Sequence, residues 1–476
     1  MATWQVFKSL ESLTYEVSSN PRTLVLVASG GAAGSGDSVV SESQAYALFV
    51  TGAVLASWDT HAANRNDIDR QEVIDAFEGY FNGWMKMCQN SNGGASCQDE
   101  QLCNDGMGTV SVCLPHWQQK ADLTEVRGTG AAPDGDEDAI TGMILALAAV
   151  SSDDTRPGWF ERAQSWTDAS ITAFMRYNTD SSNDDYNLVK LGSCWGGWGS
   201  SGQNPSYHSP GSYRLMRDFY KAYPNQIRPY ASVSDDDFEK LIDTSYQVLF
   251  GVQCAEQGMV PNWARVVVKD GTVTSDGGQF SGSGTPQHEF GAEAARTIWR
   301  VAFDAALQGG NPGNDSTSFL DPLLRRLSFG YREAVNSYPQ YWEETTFEAC
   351  RADNTNNDIT IFSGGWLYNM FIYGPVVSSL IVPFQDSTKE EQQAMIDAAA
   401  EVLGKNLPSG YYSRSWALLA NLAVGGAIES AAKTFYGRNK GSFPTSAPNS
   451  SNHNTPTKSP TETSGDGCCS HDFKTW

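Results

Sequence analysis

The chain has 476 residues with 32 Lys plus Arg against 55 Asp plus Glu, a net charge of −23. That balance makes nucleic acid and anionic membrane surfaces poor partners, and no stretch reaches the roughly 20 apolar residues that span a bilayer. Length does not limit the core, and 14 Trp, 19 Tyr and 21 Phe make the chain rich in aromatic rings.

The first apolar piece, RTLVLVASGGAAG at 22–34, lies behind a polar start and is short, so no cleavable signal peptide is evident at Met1. A helix is expected over 42–57. Ser41 followed by Gln44 reads as a capping box, and Ala45, Tyr46, Leu48, Phe49, Ala53 and Val54 recur at helical spacing. Glu42 falls in the first turn, where an acid suits the helix dipole. A second helix is expected over 68–88. After it Cys88, Cys97, Cys103 and Cys113 crowd an irregular Gly/Asn/Gln-rich segment; with no C-x-x-C pair and no His pair, two disulfides are expected in preference to zinc. Disulfides and the sequons Asn314-Asp315-Ser316 and Asn449-Ser450-Ser451 point to a secreted protein whose export signal lies outside this chain.

The densest acids outside polar loops are in APDGDEDAITGMILALA, 132–148. Asp134, Asp136 and Asp138 superficially resemble a calcium loop, but the sixth and twelfth positions are Ala139 and Leu145, so that match fails. Pro133-Asp134-Gly135 reads as a turn and the acids as leaders of an apolar helix over 137–151. Four acids in five residues exceed what capping requires. Helices are further expected near 158–176, 208–222 and 236–253. Between them the long loop 177–206 carries CWGGWGSSGQNPSY, a Gly-rich stretch that bears the rings of Trp195, Trp198 and Tyr207.

After the loop at 268–288, the helix expected over 291–307 places Glu293, Arg296 and Arg300 a turn apart, so that Arg296 can pair with Glu293. Helices near 318–337, 361–382, 388–405 and 412–434 complete a large all-α domain. At 441–467 the composition turns to Ser, Thr, Pro and Asn, a linker, followed by Cys468 and Cys469 in a possible truncated Cys-rich module over 468–476. The domain boundaries so read are a lead-in over 1–35, the large all-α domain over 36–435 with a Cys-rich insertion at about 88–130, and the tail.

Nucleophile-elbow, Walker-type and H-E-x-x-H motifs are absent, so carboxylates are the expected catalysts, without metal or cofactor. VSESQAYAL, PDGDEDA, NPSYHSP at 204–210, GMVPNW at 258–263, GAEAARTIWR at 291–300 and YYSRSWALLANLAVGG at 411–426 occur in the order and rough spacing of glycoside hydrolase family 8. The chain resembles that family over about residues 36–430.

The resemblance implies an (α/α)6 barrel, a toroid of about twelve helices, and hydrolysis of a β-1,4-linked polysaccharide with inversion at the anomeric carbon. Carried over by motif, Glu42 matches the general acid, with Ser43 where the family has Gly. Asp134 matches the acid that contacts the sugar ring beside the cut. Glu293 stands where the family's base Asp stands, with Ala292 replacing a preceding Tyr and Arg296 kept. Asp304 and Asp136 are reserve bases; Trp195, Trp198 and Tyr207 are candidate platforms for the apolar faces of the sugar, and Tyr46, Tyr411 and Tyr412, with Asp136 and Arg296, are further substrate-binding candidates.

An inverting acid must be protonated, so Glu42 is expected to lie close to Asp134 with its pKa raised. Endo-β-1,4-glucanase is the leading reading for a monomeric enzyme, with chitosanase, xylanase and mixed-linkage glucanase behind it. A non-catalytic glycan-binding protein on the same barrel is the alternative of another class.

Overall fold

The computed structural model describes residues 3–438 apart from 30–35, 60–68, 91–100, 105–108, 112–113, 152–155, 194, 199–201, 223–232, 270–271, 276–285, 312, 335–341, 353–356 and 385. The Ser/Thr/Pro linker, the Cys468–Cys469 segment, Asn449 and the expected bridges among Cys88, Cys97, Cys103 and Cys113 therefore fall outside the residues that can be described.

Thirteen helices run through the described residues: α1 Thr3–Glu11, α2 Ser41–Ala56, α3 Arg70–Asn90, α4 Pro133–Val150, α5 Phe160–Tyr177, α6 Pro210–Ala222, α7 Asp235–Val252, α8 Ala292–Leu307, α9 Asp315–Glu333, α10 Met370–Ser378, α11 Lys389–Lys405, α12 Tyr411–Val424 and α13 Ala427–Arg438. The even-numbered ones close a ring. α2 packs on α4, α4 on α6, α6 on α8, α8 on α10, α10 on α12, and α12 returns to α2. Outside it α3, α5, α7 and α9 each pack on the inner helix before them, α11 packs on α12 and α10, and α1 packs on α2 and α12. This is the (α/α)6 barrel.

Two of the inner helices, α2 and α4, are buried almost all round. Every residue of α2 except Glu42 is buried, and all of α4 is. Gly52 and Gly142 let these two backbones meet: a Cβ on Gly52 would lie 2.2 Å from the Gly142 carbonyl oxygen.

Short sheets decorate the barrel. β1 (Thr14–Ser19) and β2 (Arg22–Leu26) form a hairpin, and β3 (Ser38–Val40) joins β6 (Gln118–Lys120) and β7 (Val126–Gly128). The hairpins β4–β5 (Gln101–Asn104, Thr109–Ser111), β8–β9 (Thr179–Asn183, Tyr186–Val189) and β10–β11 (Val266–Lys269, Thr272–Ser275) are separate two-stranded sheets, with β9 and β11 packing on α7. β12 (Glu289–Phe290) runs parallel to β14 (Asp358–Ile361), whose other neighbour is β13 (Cys350–Arg351). A disulfide joins Cys254 to Cys350 across 96 residues, linking the loop after α7 to β13.

Within the lead-in, α1 packs on α2 and α12, and β2 on α2 and α3. Three expectations change. The helix expected from 361 begins at Met370, because 358–361 pairs as a strand. The stretch 412–434 breaks at Gly425–Gly426, where Gly426 takes a positive φ of 76°, and the released α13 packs on α2, α4, α8 and α12 at the end where α2 stops, with Thr434 Oγ1 donating to the Ala56 carbonyl at 2.7 Å. The cap of α2 also differs. Ser43 Oγ accepts from Val40 N–H at 3.2 Å and donates to the carbonyls of Leu26 and Val40, while Gln44 holds the N–H of Leu26 and the carbonyls of Leu24 and Tyr80.

Candidate active site

Glu42 begins α2, Asp134 begins α4 and Glu293 begins α8, so the barrel topology carries all three to one end of the ring. Pro133 at the first position of α4 presets the helical φ. Gly135 lets that turn abut α2; a Cβ there would lie 2.7 Å from Glu42 N and Ser41 Oγ. At α8, Asn262 of the GMVPNW stretch supplies the missing cap, its Oδ1 accepting the N–H of Glu293 at 3.1 Å and of Ala294 at 3.0 Å.

One guanidinium gathers the three acids. Arg296 Nη1 donates to Glu42 Oε1 at 2.5 Å and to Asp134 Oδ2 at 2.7 Å, and Nη2 donates to Glu293 Oε2. The Arg296 side chain is 3% exposed, those of Asp134, Glu42 and Glu293 are 8, 15 and 23% exposed; the two glutamates are the members that solvent, and hence a substrate, can reach. Burial raises the Glu42 pKa to about 7; the Arg296 charge opposes the rise, Asp134 and Glu293 add to it, and the Tyr46 hydrogen bond opposes it. The acid therefore keeps a proton to near neutrality although it sits in a helix first turn.

The hydrogen bonds distinguish the three carboxylates. Glu42 Oε1 accepts from both Tyr46 Oη, at 2.6 Å, and Arg296. Glu293 Oε2 accepts from Asn204 Nδ2, at 2.8 Å, and from Arg296. Among the described residues, Glu42 Oε2 and Glu293 Oε1 accept no hydrogen bond. Asp134 has no such oxygen, because Oδ2 takes Arg296 and Oδ1 takes the Gly135 N–H at 2.9 Å.

Several candidates sit elsewhere than a sugar contact requires. Asp136 is fully buried, its Oδ2 held by Asn178 Nδ2 at 2.7 Å, so no sugar reaches it. Asp304, the other reserve base, is also fully buried under Arg214, Tyr246 and Gln308. Tyr46 is 1% exposed and serves the acid rather than a sugar face. Tyr207 is buried with its ring centroid 5.7 Å from the Arg296 guanidinium. Trp198 packs with Leu188 and Val248, and its indole N–H donates to the Asp180 carbonyl, a loop tryptophan plugged onto the β8–β9 hairpin and α7. Trp195 is half-buried with its ring over Gly130 and Gly192. Tyr411 is buried beside Val40, while half-buried Tyr412 donates its hydroxyl to the Ala292 carbonyl at 2.9 Å. Burial and the nearby carboxylates push all four tyrosine hydroxyls well above their usual range.

Ser43, the departure from the family's Gly, points away from the acids into its own cap. Asn204 and Asn262 lie in quoted motifs, yet an Asn one residue from a Pro at a turn is the only signal they carry. Half-buried Trp117 carries none. It packs beside Val40 and Tyr411, and its carbonyl receives the Ser41 N–H at 2.8 Å. A small cavity of about 180 Å³, lined by Ala305, Val382, Glu429 and Lys433, lies at the opposite end of α8.

No family model matches the chain. In sequence it is 27% identical over 209 residues to Endoglucanase C of Ruminiclostridium cellulolyticum, covering 44% of this chain and 37% of that one. It is likewise 27% identical over 218 residues to Endoglucanase 2 of Ruminiclostridium josui, covering 44% and 40%. The aligned part thus spans about two fifths of each curated relative. In fold it is similar to a β-1,3-1,4-glucanase from Paenibacillus sp. X4, with a TM-score of 0.58 at 14% identity over 89% of this chain and 90% of that one. It is also similar to a reducing-end-xylose releasing exo-oligoxylanase complexed with xylobiose, with a TM-score of 0.53 at 16% identity over 87% and 88%, and to Rex8A of Paenibacillus barcinonensis complexed with xylose, at 0.53 and 14% over 90% and 94%. In its ordered motifs, its endoglucanase relatives and its barrel, the chain resembles glycoside hydrolase family 8.

Proposed function

We propose that the chain is an inverting, endo-acting hydrolase of β-1,4-linked glucan. The observation that carries this reading is the Arg296 cluster, in which an acid with its pKa raised to about 7 and a second, partly exposed carboxylate each keep one oxygen uncommitted. In the reaction so read, Glu42 Oε2 gives its proton to the glycosidic oxygen as the bond to the anomeric carbon breaks. Water attacks that carbon from the opposite face and gives a proton to Glu293 Oε1, and the product leaves with inverted configuration. Arg296 pairs the base, and Asp134, with both oxygens taken, supports Arg296 and adds negative charge beside Glu42.

Glu for Asp at position 293 lengthens the base by one methylene. Asn204 and the Asn262 cap, which fix the carboxylate and the helix start that bears it, support Glu293 in this role. The Cys254–Cys350 bridge suits an oxidising compartment, in keeping with a secreted enzyme.

The test is reducing-end release and product anomer by NMR, for wild type and Glu42→Gln, on carboxymethyl-cellulose, mixed-linkage glucan, xylan and chitosan. The α-anomer from a β-1,4-glucan, lost in the variant, is expected. Binding without release from any polymer would instead favour a lapsed enzyme on the same barrel, and cleavage of chitosan or xylan alone would replace the glucan assignment.

A further inference from the structure

Tyr368 is 86% exposed, about twice the exposure of Phe250 at 41% or Tyr15 at 46%. Its setting is rigid. Trp366, 1% exposed, anchors the turn, with its indole N–H on the Phe362 carbonyl at 3.0 Å. Gly365 takes a positive φ of 79°, and Asn369 Nδ2 closes the turn on the carbonyls of Gly364 and Gly365. Leaving a large ring in water on so ordered a turn does nothing for the fold.

The turn belongs to the end of the barrel that carries the acids. It precedes the N-terminus of α10, as Glu42, Asp134 and Glu293 begin their own inner helices. Phe362 N–H donates to the Phe290 carbonyl at 3.3 Å, three residues before Glu293. From there half-buried rings lead inward: Phe362 to Phe371 at 5.7 Å, and Phe371 to Tyr412 at 5.4 Å, whose hydroxyl binds the residue preceding Glu293. The other exposed phenylalanines lie on outer helices with partners, Phe250 against Phe319 and Phe329 under Arg326. Tyr368 has no ring or cation partner among the described residues.

We infer that Tyr368 is an outlying binding site for the same glucan chain, a platform for a sugar beyond those held at the acids. The inference rests on the glucan hydrolase reading. The apolar face of a pyranose is the ligand that suits an exposed ring on a fixed turn at the mouth of such a site. Its occupant is continuous with the substrate, so the site acts only on chains long enough to reach it.

The test is steady-state kinetics on cello-oligosaccharides from trisaccharide to hexasaccharide and on soluble glucan, with Tyr368→Ala, Tyr368→Phe and, as a ring lost elsewhere, Phe250→Ala. Tyr368→Ala is expected to raise KM about tenfold for the longest substrates, with kcat and the shortest cleaved substrate unchanged. Tyr368→Phe retains the wild-type length dependence, and melting curves for the Tyr368 variants stay with wild type. Wild-type cleavage of the hexasaccharide with a KM indifferent to Tyr368→Ala, or an equal effect from Phe250→Ala, overturns the inference alone. A wild type that cleaves and binds no β-1,4-glucan overturns the reading beneath it.

Discussion

Arg296 and Arg300 stand one turn apart on α8, and each gathers acids from α4, yet only one of the two layers meets solvent. The outer layer joins Arg296 to Glu42, Asp134 and Glu293. In the inner one Arg300 Nη1 bonds Asp138 at 2.9 Å and stands 3.3 Å from Glu137, which also accepts the Tyr213 hydroxyl at 2.6 Å. Burial raises the pKa of Glu137 and Asp138 as it does that of Glu42. The side chains of Arg300, Glu137 and Asp138 are 1, 0 and 4% exposed. The difference teaches that a perturbed carboxylate is a catalytic candidate only where a substrate can touch it; the inner layer positions the helices that carry the outer one.

The largest test of this contrast is Glu42→Gln, which keeps shape and an acceptor for Tyr46 and Arg296 but has no proton to give. Loss of about 10³-fold in polymer cleavage is expected, within the range for a general acid, with glucan binding retained in affinity electrophoresis. Next comes Arg300→Met, which strands Asp138 and Glu137 in the interior. It should cost about 3–5 kcal/mol in urea unfolding. A stability loss as large from Glu42→Gln, or none from Arg300→Met, would erase the distinction between the layers.

The spacing of α4 and α8 made part of this legible beforehand. Positions 134 and 138, like 296 and 300, repeat one turn apart, which fits the two Arg–Asp rungs between the helices, but the spacing by itself named only the Glu293–Arg296 pair within α8. Asp134 and Arg296 could be assigned by motif. The sequence could not say that Asp136 faces Asn178, because that depends on which side of α4 meets α5, a tertiary fact. Nor could it demote Trp198 and Tyr207. Ring-rich loops look alike until packing decides which rings plug the core, and the ring left outside, Tyr368, lies in a segment the periodicity read as helix.

A third test uses pH. Glu42 has its folded pKa raised to about 7 from the usual 4.5 of a glutamate. Below about pH 4.5 it is protonated in both folded and unfolded states and costs nothing; as pH rises through 7 the unfolded chain gains by ionising first, and stability falls by up to about 3 kcal/mol. Glu42→Gln should therefore be the more stable protein at pH 8 and match wild type near pH 4. Activity of the wild type should fall on the alkaline side with an apparent pKa near 7. Arg296 opposes the rise, so Arg296→Gln should move that alkaline limb upward in whatever activity survives.

The smallest expected effect probes the outer layer alone. Asn204 Oδ1 accepts both the N–H and the hydroxyl of Ser206, at 2.9 and 2.8 Å. Those two donors fix the amide so that Nδ2 faces Glu293. Asn204→Ala removes one donor from Glu293, the proposed base, and the anchor of the turn before Tyr207. Its loss is that of a hydrogen bond to a charged group, about 1.5–3 kcal/mol at most, so kcat should fall about tenfold while KM for short substrates holds. Asn204→Asp puts an oxygen where Nδ2 faces Glu293 and should shift the acidic limb of the pH profile upward, a movement that a merely structural role at this turn would not produce. Combined with Glu293→Asp, whose shorter arm falls back from Nδ2, the Asn204→Ala penalty should shrink. Full additivity of the two in a double-mutant cycle would show that Asn204 acts on the turn and not on the base.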